Sequence, residues 1–230
     1  MKKLWEDDAE LFDLMCKELF TAVVGDILDR LGFLHQFLPP GIQPLRDDMV
    51  VAGRAMPVLT ADYFGEKVAG QSEIGQVPYG LTFHALDDLK PNEVYVSTGG
   101  TPRYAMWGEL MSTRAIKLGA SGAVLHGHSR DTRGILKLSF PTFSLGRYAQ
   151  DAGARSKVVD YRVPIEIEGV AVNPGDIVFG DLDGVLIVPH AVHEEAISKA
   201  LEKVQAENLV RQAIEEGLST VEAFAKYGVM

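Results

Sequence analysis

The sequence predicts a layered α/β domain with helices at both ends. Three observations carry this. The middle of the chain alternates strand-like and helix-like segments, from "VVAGRAMPVLTAD" (50–62) to "PTFSL" (141–145). From residue 157 the pattern changes to short β runs, "KVVDYRV", "IEI", "VAV", "IVFG" and "GVLIVP", separated by "EG", "NPGD" and "DLDG" turns. Helical patterns flank both blocks, near 7–19 and 190–216. Alternation in the middle and clustered β runs later imply both helix-covered and sheet-on-sheet packing. No repeat, low-complexity tract or linker divides residues 1–230, so one domain is expected.

Each element has a local reason. "DDAELFDLMCKEL" (7–19) is a helix with acids in its first turn, where the helix dipole favours them. Cys16, the single cysteine, is expected to be buried on its apolar face. A second helix covers about 22–31 and stops at Gly32. "HQFLPPGIQPL" is too proline-rich to be helical throughout. In strand 50–62, Gly53 and Pro57 predict a bulge or an edge. Residues 63–80 are glycine-rich and polar and are expected to form a mobile loop. "LTFHALDDL" is a short helix. "KPNEVYVSTGG" is a strand between turns, with Gly99 and Gly100 allowing close backbone approach.

"WGELMSTRAIKLG" is a helix closed by Gly119, "GAVLH" (122–126) a buried strand, and 132–138 a short helix. Asp176, Asp181 and Asp183 read as turn residues. In the long helix 190–216, Ile197, Ala200, Leu201, Val204, Val210, Ala213 and Ile214 form one apolar face. Gly217 ends it, and Ser219 to Glu222 is a capping box that opens a last helix.

Composition narrows the function. The net charge of -10 argues against a nucleic-acid partner, which needs a basic stripe. The start, "MKKLWEDDAELF", lacks the apolar run of a signal peptide. No stretch approaches the ~20 apolar residues of a membrane span. The expectation is a cytoplasmic protein without a membrane or nucleic-acid partner.

The chemistry concentrates in "LHGHSRDTRG" (125–134), which places two histidines, an arginine and an aspartate within six residues. A helix from about 108 followed directly by strand 122–126 returns the chain to the helix N-terminus. Glu109 should therefore meet Arg130 and Asp131, in the region where open α/β sheets bind ligands. The unsatisfied N–H groups of Gly108, Glu109, Leu110 and Met111 can hold an anion such as a carboxylate. His126 and His128, two apart, would share a face of a strand. With Asp131 they loosely match the "HxHxDH" zinc cluster of metallo-hydrolases, with the spacing off by one residue and no trailing histidine. Arg147 and Arg155 either grip a distal carboxylate or form structural ion pairs.

These residues resemble a known family. "GDILDRLG", "WGELMSTRAIKLGASGAVLHG", "SRD", "FPTFSLG" and "VNPGDIVFGDLDGVLIVP" are similar, in order, to blocks of the class II aldolases specific for 4-hydroxy-4-methyl-2-oxoglutarate and 4-carboxy-4-hydroxy-2-oxoadipate. Those aldolases share a fold with the regulator of ribonuclease activity A. The resemblance covers about residues 20–215. The aldolase signature is an acid, twenty residues, then Arg-Asp, met here by Glu109, residues 110–129 and Arg130-Asp131.

The resemblance implies a layered β/β/α swivelling-type (RraA-like) domain and a retro-aldol cleavage of a 4-hydroxy-2-oxo acid that releases pyruvate, with oxaloacetate decarboxylation as a side activity. It implies Asp131 as direct ligand of Mg2+ or Mn2+, Glu109 as holder of water on that ion, and Arg130 on the keto oxygen and enolate. The N–H groups at 108–111 would bind the pyruvyl carboxylate. Glu207 would serve a neighbouring subunit's site in a homotrimer or homohexamer. Leu209, Val210, Phe224 and Tyr227 would supply surplus apolar surface for that assembly. Three departures stand out: Glu109 is where the characterised aldolases usually have Asp, which changes its reach by one methylene; His126 is where many relatives have Asp; and the loop "HGHSRDTRG" differs from theirs, which points toward another substrate. A non-catalytic, ribonuclease-binding regulator is the alternative, and the full Glu109, Arg130, Asp131 set favours the enzyme.

Overall fold

The computed structural model of the chain describes residues 4–63 and 72–228. Residues 64–71 of the loop expected over 63–80 therefore lie outside the described residues, and the described remainder contains the short helix α3. The elements run α1 (Asp8–Glu18), α2 (Thr21–Arg30), β1 (Gln43–Pro44), β2 (Val51–Asp62), α3 (Glu73–Gln76), α4 (Thr82–Asp87), β3 (Glu93–Thr98), β4 (Ala105–Trp107), α5 (Glu109–Leu118) and β5 (Gly122–Leu125). They continue with β6 (His128–Ser129), α6 (Thr132–Leu138), β7 (Thr142–Ser144), β8 (Ser156–Tyr161), β9 (Ile165–Ile167), β10 (Val170–Val172), β11 (Ile177–Asp181), β12 (Gly184–Val188), α7 (His193–Glu215) and α8 (Thr220–Tyr227).

The main sheet has the order β1-β7-β5-β3-β2-β11-β12, and β8 pairs with the second half of β2. Strands β2, β3, β5 and β7 run parallel. Parallel neighbours need crossovers, and α4, α5 and α6 lie in those connections. β11 and β12 form an antiparallel hairpin turned at Leu182-Asp183. The proline-rich segment then closes the sheet. Phe37 bridges to Leu186 of β12, while Gln43 pairs with Ser144 of β7. One stretch of about eight residues thus spans both free edges, and the sheet becomes a nearly closed barrel.

Two apolar cores lie on opposite faces of the strands. Inside the barrel, Ala55, Val94, Val96, Val124, Phe143, Val178 and Ile187 pack together. Outside, Ala52, Ile177, Phe179, Leu186 and Val188 meet Leu11, Met15, Val24 and Ile197 of the terminal helices. Successive residues of β11 and β12 thus serve opposite cores. That is why those runs are continuously apolar rather than alternating.

The structure changes several expectations. β2 is central, not an edge. Its bulge falls between Leu59 and Thr60. Pro57 is tolerated because β2 changes partner there: β11 pairs Val51 to Arg54, and β8 begins at Val58. The N–H that proline lacks falls between those two partners. Cys16 is exposed rather than buried, because the buried stripe of α1 follows Leu11, Phe12 and Met15, one position away.

In α7 the apolar face is buried only in part. Ala196, Ile197 and Ala200 pack against the domain, and Val210 is buried near α8, but Leu209 is 57% exposed and Ile214 37%. Lys203 is buried within the same helix and ion-pairs with Asp26 and with Glu207 at 3.3 Å. The predicted capping box stands: Ser219 Oγ accepts from Glu222 N, and the Glu222 carboxylate accepts from Ser219 N. The turn aspartates are structural. Asp181 accepts from the N–H and hydroxyl of Thr21, and Asp176 from Asn173 N and His190 N.

Candidate active site

The site forms where α5 begins. β4 and β6 run side by side, pairing Ala105 with His128 and Trp107 with Ser129. Arg130 N then donates to Trp107 O at 2.9 Å. That bond lays Arg130 and Asp131 against Gly108, the N-cap of α5. Trp107 is a rigid anchor for the arrangement. Its Nε1 donates to Ser112 Oγ at 2.7 Å, and its ring packs on Tyr95 and Phe140.

The first bond of the helical ladder is Ser112 N to Gly108 O. The N–H groups of Glu109, Leu110 and Met111 precede it, and Gly108 has no side chain to cap them. Asp131 sits in the left-handed region at φ 55, and its carboxylate points back at Gly108. A Cβ built on Gly108 would come within 2.7 Å of Asp131 Oδ2. Glycine therefore leaves the space that the carboxylate occupies.

Gly108, Leu110, Met111, Arg130 and Asp131 line one cleft of about 240 Å³. Arg130 is held between two carboxylates: Nη1 lies 3.0 Å from Asp151 Oδ1, and Nε 3.7 Å from Asp131 Oδ2. Tyr79, Phe83 and Val158 form part of the remaining wall. Tyr95 also borders the cleft, and burial pushes its phenol above the ordinary tyrosine value, so it stays neutral.

Glu109 contributes its backbone to this helix start, but its side chain is not in the cleft wall. It lies on Gly134 of α6, where an added Cβ would overlap its carboxyl group. It thus sits three residues along from Asp131, across the α5–α6 contact. Glu207 is not in this cleft. It lies on α7 beside Val210, Arg211 and Ile214, paired with Lys203.

The zinc reading lacks its geometry. His126 lies 2.9 Å from Thr98 Oγ1 and 3.2 Å from Glu168 Oε1. His128 stacks edge-on against Tyr148 and borders a second cleft with Arg103 and Arg155. The chain leaves the regular strand after Leu125, so the two rings do not share a face. Among the described residues no three of His, Cys, Asp or Glu converge as a ligand set. Arg147 donates to Leu45 O and Arg155 to Asp151 O, and neither lines the main cleft. Both serve as structural donors to the backbone.

Asp131 offers hard carboxylate oxygen at a half-exposed rim, with side-chain exposure of 49%. Such a donor beside water suits Mg2+ or Mn2+, which need only one or two carboxylates. The residues present therefore fit the divalent ion that the resemblance implies. Sequence reasoning overlooked Asp151, Tyr79 and Phe83. "GRYAQDAGAR" drew attention for its arginines, and the aspartate reaches the site because the segment after β7 is held against β4 and β6, with Tyr148 N bonded to Ser129 O and Ala105 N to Gln150 O.

Comparison with known proteins adds to this geometry. A putative 4-hydroxy-4-methyl-2-oxoglutarate aldolase of Halalkalibacterium halodurans is 29% identical over 205 residues, 89% of each chain. Protein DlpA of Legionella pneumophila is 28% identical over 208 residues. That match spans 90% of this chain but 32% of DlpA, so the chain covers about a third of that relative's length. The solved structure of an uncharacterized protein from Pseudomonas syringae pv. tomato aligns with a TM-score of 0.82 at 27% identity, over 99% of this chain and 98% of that one. The model of the RraA-like family, described as Aldolase/RraA, matches residues 21–187, which include Glu109, Arg130 and Asp131 but not Glu207. With that match across most of the chain and a barrel closed by its own proline-rich segment, the protein belongs to the RraA-like (Aldolase/RraA) family.

Proposed function

We propose that the protein is a divalent-metal-dependent, class II aldolase that cleaves a 4-hydroxy-2-oxo acid to pyruvate and a second carbonyl compound. The observation that carries this reading is the shared cleft of Arg130, Asp131 and the uncapped start of α5. The N–H groups of Glu109, Leu110 and Met111 bind the substrate carboxylate, aided by the positive end of the helix. That places the neighbouring 2-oxo oxygen toward Arg130.

Cleavage of the C3–C4 bond leaves its electron pair on pyruvate as an enolate. The Arg130 guanidinium donates hydrogen bonds to the oxygen where that charge develops. Asp131 would hold the divalent ion. When bound, the ion supplies Lewis-acid stabilisation of the same charge, without a Schiff base. Glu109, whose carboxyl group lies on Gly134 of α6 outside the cleft wall, acts through water that reaches the rim, and that water accepts the 4-hydroxyl proton. Protonation of the enolate at C3 completes pyruvate. Oxaloacetate loses carbon dioxide through the same enolate. Assembly into a trimer or hexamer brings Glu207 of a neighbouring copy to the site.

A pyruvate-release assay over a panel of 4-hydroxy-2-oxo acids, with and without Mg2+ or Mn2+, tests the reading. Activity should require the ion, and Asp131→Ala should abolish both activity and ion binding with the fold intact. Full activity in excess chelator, or no pyruvate from any member of the panel, would sink it.

A further inference from the structure

The cleft lining has two parts of different chemistry. One holds the helix N–H groups, Arg130 and Asp131. The other includes Tyr79, Phe83, Val158 and Leu110, together with the hydroxyls of Thr60, Thr82, Ser97 and Ser156. The Tyr79 and Phe83 rings lie 5.5 Å apart at 55°. Phe83 is 56% exposed and Leu110 83%, so this wall offers apolar surface that the chain itself does not cover.

The charged groups among the described lining residues are Arg130, Asp131 and Asp151. Arg130 already faces both carboxylates. Asp151 stands at the junction of the two parts and is held there on several sides. Oδ1 takes Arg130 Nη1 at 3.0 Å, and Oδ2 accepts from Gly153 N at 2.9 Å and Tyr79 Oη at 3.4 Å. Its negative charge therefore borders the aromatic wall.

A substrate bound by its pyruvyl carboxylate directs its distal part toward that wall. A second carboxylate there would meet the charge of Asp151 and the negative faces of two rings, while losing hydration. An aryl or branched alkyl group would instead bury apolar surface on Phe83, Leu110 and Val158. We propose, resting on the aldolase reading, that the acceptor portion of the substrate is uncharged and apolar. The second carboxylate of 4-hydroxy-4-methyl-2-oxoglutarate is selected against.

Two stable 2-oxo acids without a 4-hydroxyl group test this by calorimetry in the presence of Mg2+: 2-oxo-4-phenylbutanoate and 2-oxoglutarate. The phenyl compound should bind at least about tenfold more tightly. Phe83→Arg, at an exposed position, should narrow or reverse that ratio by supplying a cation to the distal carboxylate. Equal or tighter binding of 2-oxoglutarate by the unaltered protein overturns the inference, as does failure of both compounds to bind. A ratio unmoved by Phe83→Arg removes the aromatic wall from the selection. Neither analogue undergoes retro-aldol cleavage, so the binding preference is read independently of activity. Pyruvate release from the 4-hydroxy counterparts tests the aldolase reading separately, and each result can fail without the other.

Discussion

Gly108, Arg130 and Asp131 depend on one another at atomic distance. Gly108 is extended, at φ -153, so glycine is not required there for backbone conformation. It is required for space, because a Cβ would press on Asp131 Oδ2. Gly108→Ala should leave thermal stability nearly unchanged while lowering kcat/KM by about a hundredfold, since small misplacements of a catalytic group cost that much. Normal turnover with an undisturbed melting curve would show that Asp131 has room to spare. Arg130→Lys keeps the charge but loses the planar fork that reaches two oxygens at once. Its turnover should fall by roughly a hundredfold, the loss expected for one transition-state hydrogen bond. Near-normal steady-state rates would remove Arg130 from the mechanism. Arg130-Asp131 was legible in the chain because the two residues are adjacent and stand at a fixed spacing from Glu109. Asp151 was not legible, since nothing local marks it, and its hydrogen bond to Arg130 depends on how the loop after β7 folds back.

Among the elements, α1 shows how a helix is tied to the barrel. Arg54 of β2 donates from Nε and Nη2 to the Asp8 carboxylate at 2.9 and 2.6 Å. The rings of His190 and His193 lie 3.3 and 3.5 Å from the same guanidinium, and the Phe12 ring lies 5.7 Å from it. Hydrogen bonds from Arg54 hold the Asp8 carboxyl below its ordinary value of 3.8, against the opposing effect of burial. A carboxyl depressed in the folded state adds stability above its unfolded pKa, and that contribution is lost as pH falls through the folded pKa. Asp8→Asn should therefore be less stable than the parent at neutral pH. The difference should begin to shrink as pH falls below 3.8, where the unfolded chain takes up the proton, and should vanish only below the depressed value of the folded carboxyl. Denaturant midpoints measured from pH 7 to pH 3 check this. A gap that stayed constant would assign the effect to shape rather than charge. The extents of α1 and α6 and the capped start of α8 were legible along the chain. The central place of β2 did not, because Pro57 is acceptable only where the partner strand changes.

For the whole molecule, the C-terminal helices leave an apolar surface open. Leu209, Val221 and Phe224 are 57%, 78% and 58% exposed, although Val210 from the expected surplus is buried. Glu207 lies along the same region of α7, oriented by Lys203. Covering this surface with a second copy would bury apolar area and carry Glu207 toward a neighbour. Light scattering should report a trimer or a hexamer, and Glu207→Ala should reduce turnover without changing that mass. A fully active particle of 25.1 kDa, the mass of one chain, would defeat both expectations.

By itself the sequence determined what neighbours along the chain can decide. Helical period, the Ser219 capping box, the turn aspartates and the spacing of Glu109 from Arg130-Asp131 are local quantities, and the structure keeps them. Tertiary structure decided what depends on residues far apart. It closed the barrel through residues 36–44, turned Cys16 outward, separated His126 from His128 and delivered Asp151 to Arg130. The physical reason is the same in each case. Such placements follow from packing and from long-range hydrogen bonds, whose energies exist only once distant segments have been brought into contact.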